Sequence, residues 1–252
     1  MVETVLRDIA QGVCTLTLNR PEKLNALNYE MLNELRQSLA SALNHSDVGA
    51  IVLQGAGNVF CSGDDLEEFD EWTSNESKAL ELIECIQDIA RQLVLGEKVT
   101  ICTVHGWAVG SGLRLAINSD LAIFGEYTRC VFPEFSLGFF PTGGITALLP
   151  RTIGHVQTKE AMLLGETFGA NDALKMGIAW KVVSRSIVHE TAQEAAKQIA
   201  ALPQQAVADF KRVSNQINLS DFEQLLSLEK ESALRAMLDP KTRKRVSESR
   251  SR

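Results

Sequence analysis

Apolar and polar positions alternate along Val2–Ile9 and again along Val13–Asn19, with Gln11-Gly12 between the two stretches. A period of two on either side of a turn predicts a β-hairpin. The period then lengthens. Asn28 is a residue type that caps helix starts, and beyond it Leu32, Leu35, Leu39 and Leu43 fall on one helical face. Ala50–Gln54 reads as a buried strand closed by the turn Gly55-Ala56-Gly57-Asn58. Leu80, Ile83, Ile86, Ile89 and Leu93 mark a second helix over about Ser77–Leu95. Val99–Val104 and Asp120–Phe124 are further apolar runs of strand length. A Gly-rich turn and a short helix, from about Ser111 to Asn118, lie between them.

Strands and helices alternate in this way to about Val183, the order expected of an α/β layer fold. Beyond it the chain reads as helix almost throughout: about His189–Ala201, Gln204–Ile217, Asp221–Met237 and Pro240–Ser249. No linker rich in Gly, Pro or Ser divides the two parts. The reading is an α/β core over residues 1–185 and a helical C-terminal region over 186–252, packed on the core or on a neighbouring subunit. A strand–strand–helix rhythm recurs along the core, compatible with an open sheet or with a spiral.

Composition removes several function classes. The net charge of −7 over 252 residues argues against a general nucleic-acid surface, which needs clustered positive charge. That charge is uneven. Asp64–Glu84 holds nine acidic residues against Lys78 alone, whereas Lys241–Arg252 holds six basic residues against Glu248. Both runs read as solvated helix faces, and the basic one also as a hold for a phosphorylated ligand or a partner subunit. Cys14, Cys61, Cys85, Cys102 and Cys130 lack CxxC spacing and lie mostly in apolar runs, where Cys acts as a small hydrophobe. The four His are scattered. No signal-peptide pattern or membrane-length apolar run is present. A cytoplasmic, reducing setting without a metal site or a membrane is expected.

Chemistry concentrates in two Gly-centred turns and one acid. Phe60-Cys61-Ser62-Gly63-Asp64-Asp65-Leu66 and Ala108-Val109-Gly110-Ser111-Gly112-Leu113 each follow a predicted buried strand. They read either as tight strand-to-helix corners or as paired sources of backbone N–H groups for an oxyanion hole. Neither is a phosphate loop, and Cys61-Ser62-Gly63 lacks the frame of a serine nucleophile. Glu134 is either a solvated loop carboxylate or a proton carrier whose pKa is raised among Phe132, Phe135 and Phe139.

Six segments carry a family resemblance. Asn19-Arg20-Pro21 through Asn25-Ala26-Leu27 resembles the NRP…NAL signature of the enoyl-CoA hydratase/isomerase (crotonase) superfamily. The two Gly turns resemble its FxxGxD[LI] and NGxAxGGG segments. Pro133-Glu134, Leu137-Gly138 and Pro141-Thr142-Gly143-Gly144 resemble its PE…LG…P..GG stretch, and Arg151–Gly154 and Ala173–Ala179 match later patterns. The resemblance runs in order from about Val2 to Lys211. It implies an α/β fold of the ClpP/crotonase type, a spiral of ββα units whose C-terminal helices build homotrimers or dimers of trimers. It implies an acyl-CoA substrate and no separate cofactor, coenzyme A being part of that substrate.

By the same resemblance, the amides of Asp64 and Ser111 form the oxyanion hole, with Ser111 where the family usually has Gly. Glu134 matches the second of the family's two hydratase glutamates, and the first falls on Arg114. One base suffices to move a double bond from Δ3 to Δ2, so isomerisation is the leading reading. The alternatives are a single-glutamate hydratase, a decarboxylase or hydrolase of a carboxylated acyl-CoA gripped by Arg114, and a non-catalytic acyl-CoA-binding scaffold. Arg114 is otherwise a structural ion-pair partner, for instance of Asp120. Lys23, Leu24 and Ala26 of the Lys23–Leu27 loop, with Asp65 and Leu66, are the implied coenzyme A contacts. Glu67 replaces a phosphate-contacting Lys, for which Lys211 or Arg243, Lys244 and Arg245 are candidate substitutes. Glu67–Trp72 is expected on a variable acyl-pocket helix. Met31, Trp107, Phe132, Phe139 and Phe140 are candidate acyl walls, each equally able to be core.

Overall fold

Gln11 and Gly12 both take positive φ (53° and 76°), which closes the hairpin of β1 (Val5–Ala10) and β2 (Val13–Leu18). The computed structural model describes residues 3–250; Val2, the expected start of the first strand, and Arg252 of the basic tail lie outside them. β2 then pairs in parallel with β3 (Ala50–Gly55), β3 with β4 (Val99–Val104), β4 with β6 (Leu121–Gly125) and β6 with β9 (Lys181–Val183). A second sheet holds β5 (Trp107–Val109), β7 (Arg129–Val131) and β8 (Phe168–Gly169).

Successive strands leave the large sheet for the small one, and this makes the chain a spiral. β4 runs on through Gly106 into β5, β6 into β7, and β3 reaches Cys61, which bridges Ala108 in parallel. Cys61, β5 and β7 thus lie side by side and point the same way. The strand–strand–helix rhythm therefore closes as a spiral of ββα units rather than an open sheet.

Both faces of the large sheet are covered, as parallel sheets require. Alternate residues Cys14, Leu16, Leu18, Ile51, Leu53, Cys102 and Val104 join one buried cluster. It includes Met31, Leu32, Leu35 and Leu39 of α1 (Tyr29–Asn44) and Leu82, Ile86, Ile89 and Leu93 of α3 (Glu76–Leu95), which follows the short α2 (Phe69–Trp72). The intervening Val13, Ala50, Val52, Ile101 and Ile123 pack on Val188, Ala192 and Ala196 of α9 (Val188–Ala200). α1 starts where Asn28 accepts a hydrogen bond from Met31 N, and Asn75 caps α3 by accepting from Lys78 N. All five cysteines are free and buried.

Between these layers run α4 (Ser111–Asn118), α5 (Glu134–Leu137), α6 (Ile145–Ile153), α7 (His155–Leu164) and α8 (Ala170–Lys175). α10 (Gln204–Asn218), α11 (Phe222–Leu238) and α12 (Pro240–Arg250) complete the chain. Phe222 and Leu226 of α11 bury against Ala90 and Val94 of α3, and Glu229 caps α6 by accepting from Gly144 N, Thr146 N and Thr146 Oγ1. α12 ties down the neighbourhood of the site. Thr242 Oγ1 donates to Gly138 O after α5, and Arg243 Nη2 donates to Thr73 O after α2. Among the described residues no helix is long and apolar enough to cross a membrane.

Candidate active site

Asp64, Ser111 and Glu134 lie just beyond the ends of the three parallel segments formed by Cys61, β5 and β7. Carboxyl ends of parallel strands are where α/β folds gather ligand-binding loops, because backbone and helix starts converge there. Cys61 N donates to Trp107 O and Val109 N to Cys61 O, so the two Gly turns are joined along their length. Gly63 takes φ of 94°, and a Cβ on it would lie 2.9 Å from Val109 O.

A second loop locks the first turn. Leu24 and Asn25 take positive φ (52° and 54°), and Asn25 Nδ2 donates to the carbonyls of Ala56, Val59 and Phe60. Leu24 O accepts from Ser62 N, and Leu27 exchanges hydrogen bonds with Gly63 and Asp65. Arg20 Nη1 donates to both Ala26 O (2.7 Å) and Asp65 Oδ2 (2.9 Å). Lys23, Leu24, Ala26, Asp65 and Leu66 are thereby gathered around one turn, with Lys23 Nζ 2.7 Å from Glu67 Oε2. Arg20 and Asn25 as organisers of this loop went unread in the sequence, although an Asn beside a turn is a signal for left-handed backbone.

The amides of Asp64 and Ser111 have no acceptor among the described residues, and Ser111 opens α4, where unpaired N–H groups and the helix dipole favour negative charge. Ser111 Oγ donates to Asp64 Oδ2 at 2.6 Å, so a side-chain hydrogen bond clasps the same two residues. The hydroxyl that replaces the family's Gly therefore has a partner on the opposite turn. Gly112 must stay bare, since its Cβ would meet Cys61 Cβ at 2.7 Å. Burial pushes the Cys61 thiol up to about 12, which makes it a packing group rather than a nucleophile.

Glu134 faces this pair. Its carboxylate stands over Gly110, whose φ of 48° favours glycine and where a Cβ would lie 3.0 Å from Glu134 Oε1. Oε2 is buried without a hydrogen-bond partner. Desolvation pushes the Glu134 carboxyl up to about 7, opposed by a hydrogen bond from its own backbone amide, helped by the Asp64 charge and opposed weakly by Arg114. A carboxyl poised there exchanges protons in both directions near neutral pH.

Asp64, Ser111, Arg114 and Glu134 line one cavity that opens to solvent. Thr142 apart, its other walls are mainly apolar: Phe69 and Trp72 of α2, Leu82, Ile83 and Ile86 of α3, Phe139, Phe140 and Pro141 after α5, and Ala233 and Met237 of α11. Of the expected acyl walls, Phe139 and Phe140 line the cavity. Met31 and Phe132 are core, and Trp107 is 42% exposed on the outside of β5. The α3 and α11 walls went unread, because helical periodicity gives a buried face without saying whether it meets core or cavity.

Lys211 does not reach the site. It is 5% exposed, and its Nζ donates to Leu93 O, Lys98 O and Asp120 Oδ2, a set that fills all three ammonium protons. A coenzyme A phosphate has no access to it. Arg243 donates through Nη2 to Thr73 O and is otherwise exposed. Asp120 is therefore the partner of Lys211, and Arg114 pairs elsewhere: its Nη1 donates to Thr142 O at 3.2 Å.

With this geometry in place, the comparisons with known proteins are consistent. The family pattern described as Enoyl-CoA hydratase/isomerase matches residues 8–246, and the chain belongs to that family. It is 32% identical over 233 residues to the 1,2-epoxyphenylacetyl-CoA isomerase of Escherichia coli K12, covering 92% of this chain and 89% of that protein. It is 33% identical over 221 residues to the short-chain-enoyl-CoA hydratase of Clostridium acetobutylicum, covering 87% and 84%. Among solved structures, an enoyl-CoA hydratase/isomerase from Xanthobacter autotrophicus Py2 superposes with a TM-score of 0.92 at 28% identity, covering 100% of this chain and 94% of that one. The fold is thus the crotonase spiral. Relatives named as isomerase and as hydratase lie at similar distance.

Proposed function

We propose that this enzyme moves the double bond of an acyl-CoA thioester from Δ3 to Δ2. The amides of Asp64 and Ser111 hold the thioester oxygen, Glu134 removes a proton from C2, and the electrons shift into the enolate that the two donors stabilise. Glu134 then returns the proton at C4. Each such donor is worth about 3 kcal/mol when charge develops on the oxygen. Asp64 and Ser111 supply backbone, Glu134 the proton, and coenzyme A enters as part of the substrate with no separate cofactor. Lys23, Leu24, Ala26, Asp65 and Leu66 are assigned to its pantetheine and adenine. A homotrimer or dimer of trimers is the proposed assembly, to be read by mass in solution.

The observation that carries the reading is the Glu134 carboxylate, with Oε1 over Gly110 and Oε2 buried and unpartnered, in the cavity that Asp64 and Ser111 also line. Incubation with 3-hexenoyl-CoA, followed by the rise of the conjugated enoyl absorbance, tests it. Turnover is expected in the wild type and should fall about 10³-fold in Glu134→Ala, with thioester binding retained; wild-type turnover by Glu134→Ala rejects it. One observation favours hydration as a second reading: Asp64 Oδ1 is also buried, unpartnered and in the cavity wall, so two carboxylates could position a water. Rapid loss of the enoyl absorbance of crotonyl-CoA would select it.

A further inference from the structure

The cavity holds one charge that the proton transfer does not use. Arg114 stands one helical turn past Ser111 on α4, about 4.5 Å along the axis. It is 7% exposed and lines the cavity. Gly143 leaves space for it, since a Cβ there would lie 2.9 Å from Arg114 Cδ and 3.0 Å from Nε. Among the described residues its hydrogen bonding stops at Thr142 O, and no carboxylate comes within 4.0 Å of its nitrogens.

That leaves donors to spare. A guanidinium carries five, and the Arg114 nitrogens are not among the atoms sealed from solvent without a partner, so the donors that Thr142 does not take are open to the cavity. None of the nearby carboxylates forms an ion pair with Arg114. Glu229 accepts three hydrogen bonds at the start of α6, and Asp64 Oδ2 accepts from Ser111. Glu134 lines the same cavity without an ion pair to Arg114, and its ionisation is suppressed by desolvation. The remaining lining is mainly apolar, Leu82, Ile83, Ile86, Phe139 and Phe140 among it, with Thr142 the hydroxyl-bearing exception. A carboxylate on a ligand in the cavity would meet these open donors.

We infer that Arg114 binds a carboxylate carried on the acyl group, so that this site takes the monothioester of a short dicarboxylic acid. The inference rests on reading the cavity as an acyl-CoA site. The planar fork matches a carboxylate with two parallel N–H···O bonds, while the apolar walls take the methylenes between it and the thioester. The single helical turn from Ser111 to Arg114 sets the span as short. A methyl-ended chain would enter the same cavity without this pair and so bind more weakly.

The test uses saturated thioesters that cannot react. Calorimetric titrations compare succinyl-, glutaryl- and adipoyl-CoA with butyryl-, pentanoyl- and hexanoyl-CoA, matched in carbon number. At one length or more, the wild type should bind the carboxylated ester about tenfold tighter or better. Arg114→Met should abolish that ratio and Arg114→Lys keep part of it, the ratio within each protein cancelling any general loss of binding. Equal affinities at all three lengths in the wild type, or a preference that survives in Arg114→Met, overturn the inference. Binding of neither series would instead overturn the acyl-CoA reading and the inference with it. Because no turnover is involved, the role of Glu134 is judged separately by the 3-hexenoyl-CoA assay.

Discussion

The chain buries two cations, Lys211 and Arg114, to nearly the same extent, 5% and 7% exposed, in opposite circumstances. Lys211 of α10 is saturated by two carbonyls and by Asp120, whose carboxylate also accepts from Thr100 N and Oγ1. That cluster fastens α10 to the start of β4 and the end of α3, and leaves nothing for a ligand. Arg114 has a single carbonyl and opens on a cavity. The buried carboxylates divide in the same way. Glu229 is saturated by three donors at a helix start, whereas Glu134 Oε2 has none. Saturated buried charge is scaffold, and unsaturated buried charge lining a cavity is where chemistry or recognition is to be sought.

Breaking the unsaturated side should cost function, and breaking the saturated side should cost stability. The largest effect is expected at Glu134. Replacement by Ala should lower isomerase kcat about 10³-fold, the scale of general acid–base catalysis, with thioester affinity retained in equilibrium titration. Lys211→Met should destabilise by about 3 kcal/mol, since Asp120 is left without its cation, and lower Tm by on the order of 10 °C. Folded Lys211→Met protein should still bind acyl-CoA like the wild type. Failure of that binding would place Lys211 back in the ligand's reach.

A smaller change is expected at the clasp. Ser111→Ala keeps the backbone donor and removes the hydrogen bond to Asp64, so kcat/KM should fall about tenfold, as for one bond to a charged group. An unchanged value would reduce the clasp to packing. The smallest effect concerns stability and pH. The folded Glu134 carboxyl is raised above its ordinary value, so ionising it costs the folded state stability progressively from about pH 4.5 to about pH 7. Glu134→Gln should therefore gain on the wild type in denaturant midpoint as pH rises through that window, and the gain should level off above it.

Much of this was legible before any coordinates. The leucine stripe of α1, the apolar runs of β3, β4 and β6 and the two Gly turns announce themselves, because periodicity and left-handed backbone leave marks on residue choice. Glu134 was legible through its motif, and its burial among aromatic neighbours follows from the residues around it. Less visible was where a side chain goes once buried. Lys211 and Asp120 are 91 positions apart, and nothing local says that one ends on the other. Trp107 looked like an acyl wall, yet β5 has three residues and its alternation turns that ring outward, whereas Ala108 is fully buried. Ala233 and Met237 reach the cavity only because α11 packs along α3, a pairing that no local pattern encodes.

The central claim is that Glu134, held near neutrality by desolvation beside two unpaired amides, carries the proton. The pH dependence of kcat/KM for 3-hexenoyl-CoA isomerisation tests it most directly. The account predicts a rise with pH as Glu134 ionises, bending over near pH 7, and loss of activity at every pH in Glu134→Gln. A profile flat from pH 5 to pH 8 (a window of about two units below and one above the bend), or a Glu134→Gln enzyme that keeps wild-type turnover, would contradict it.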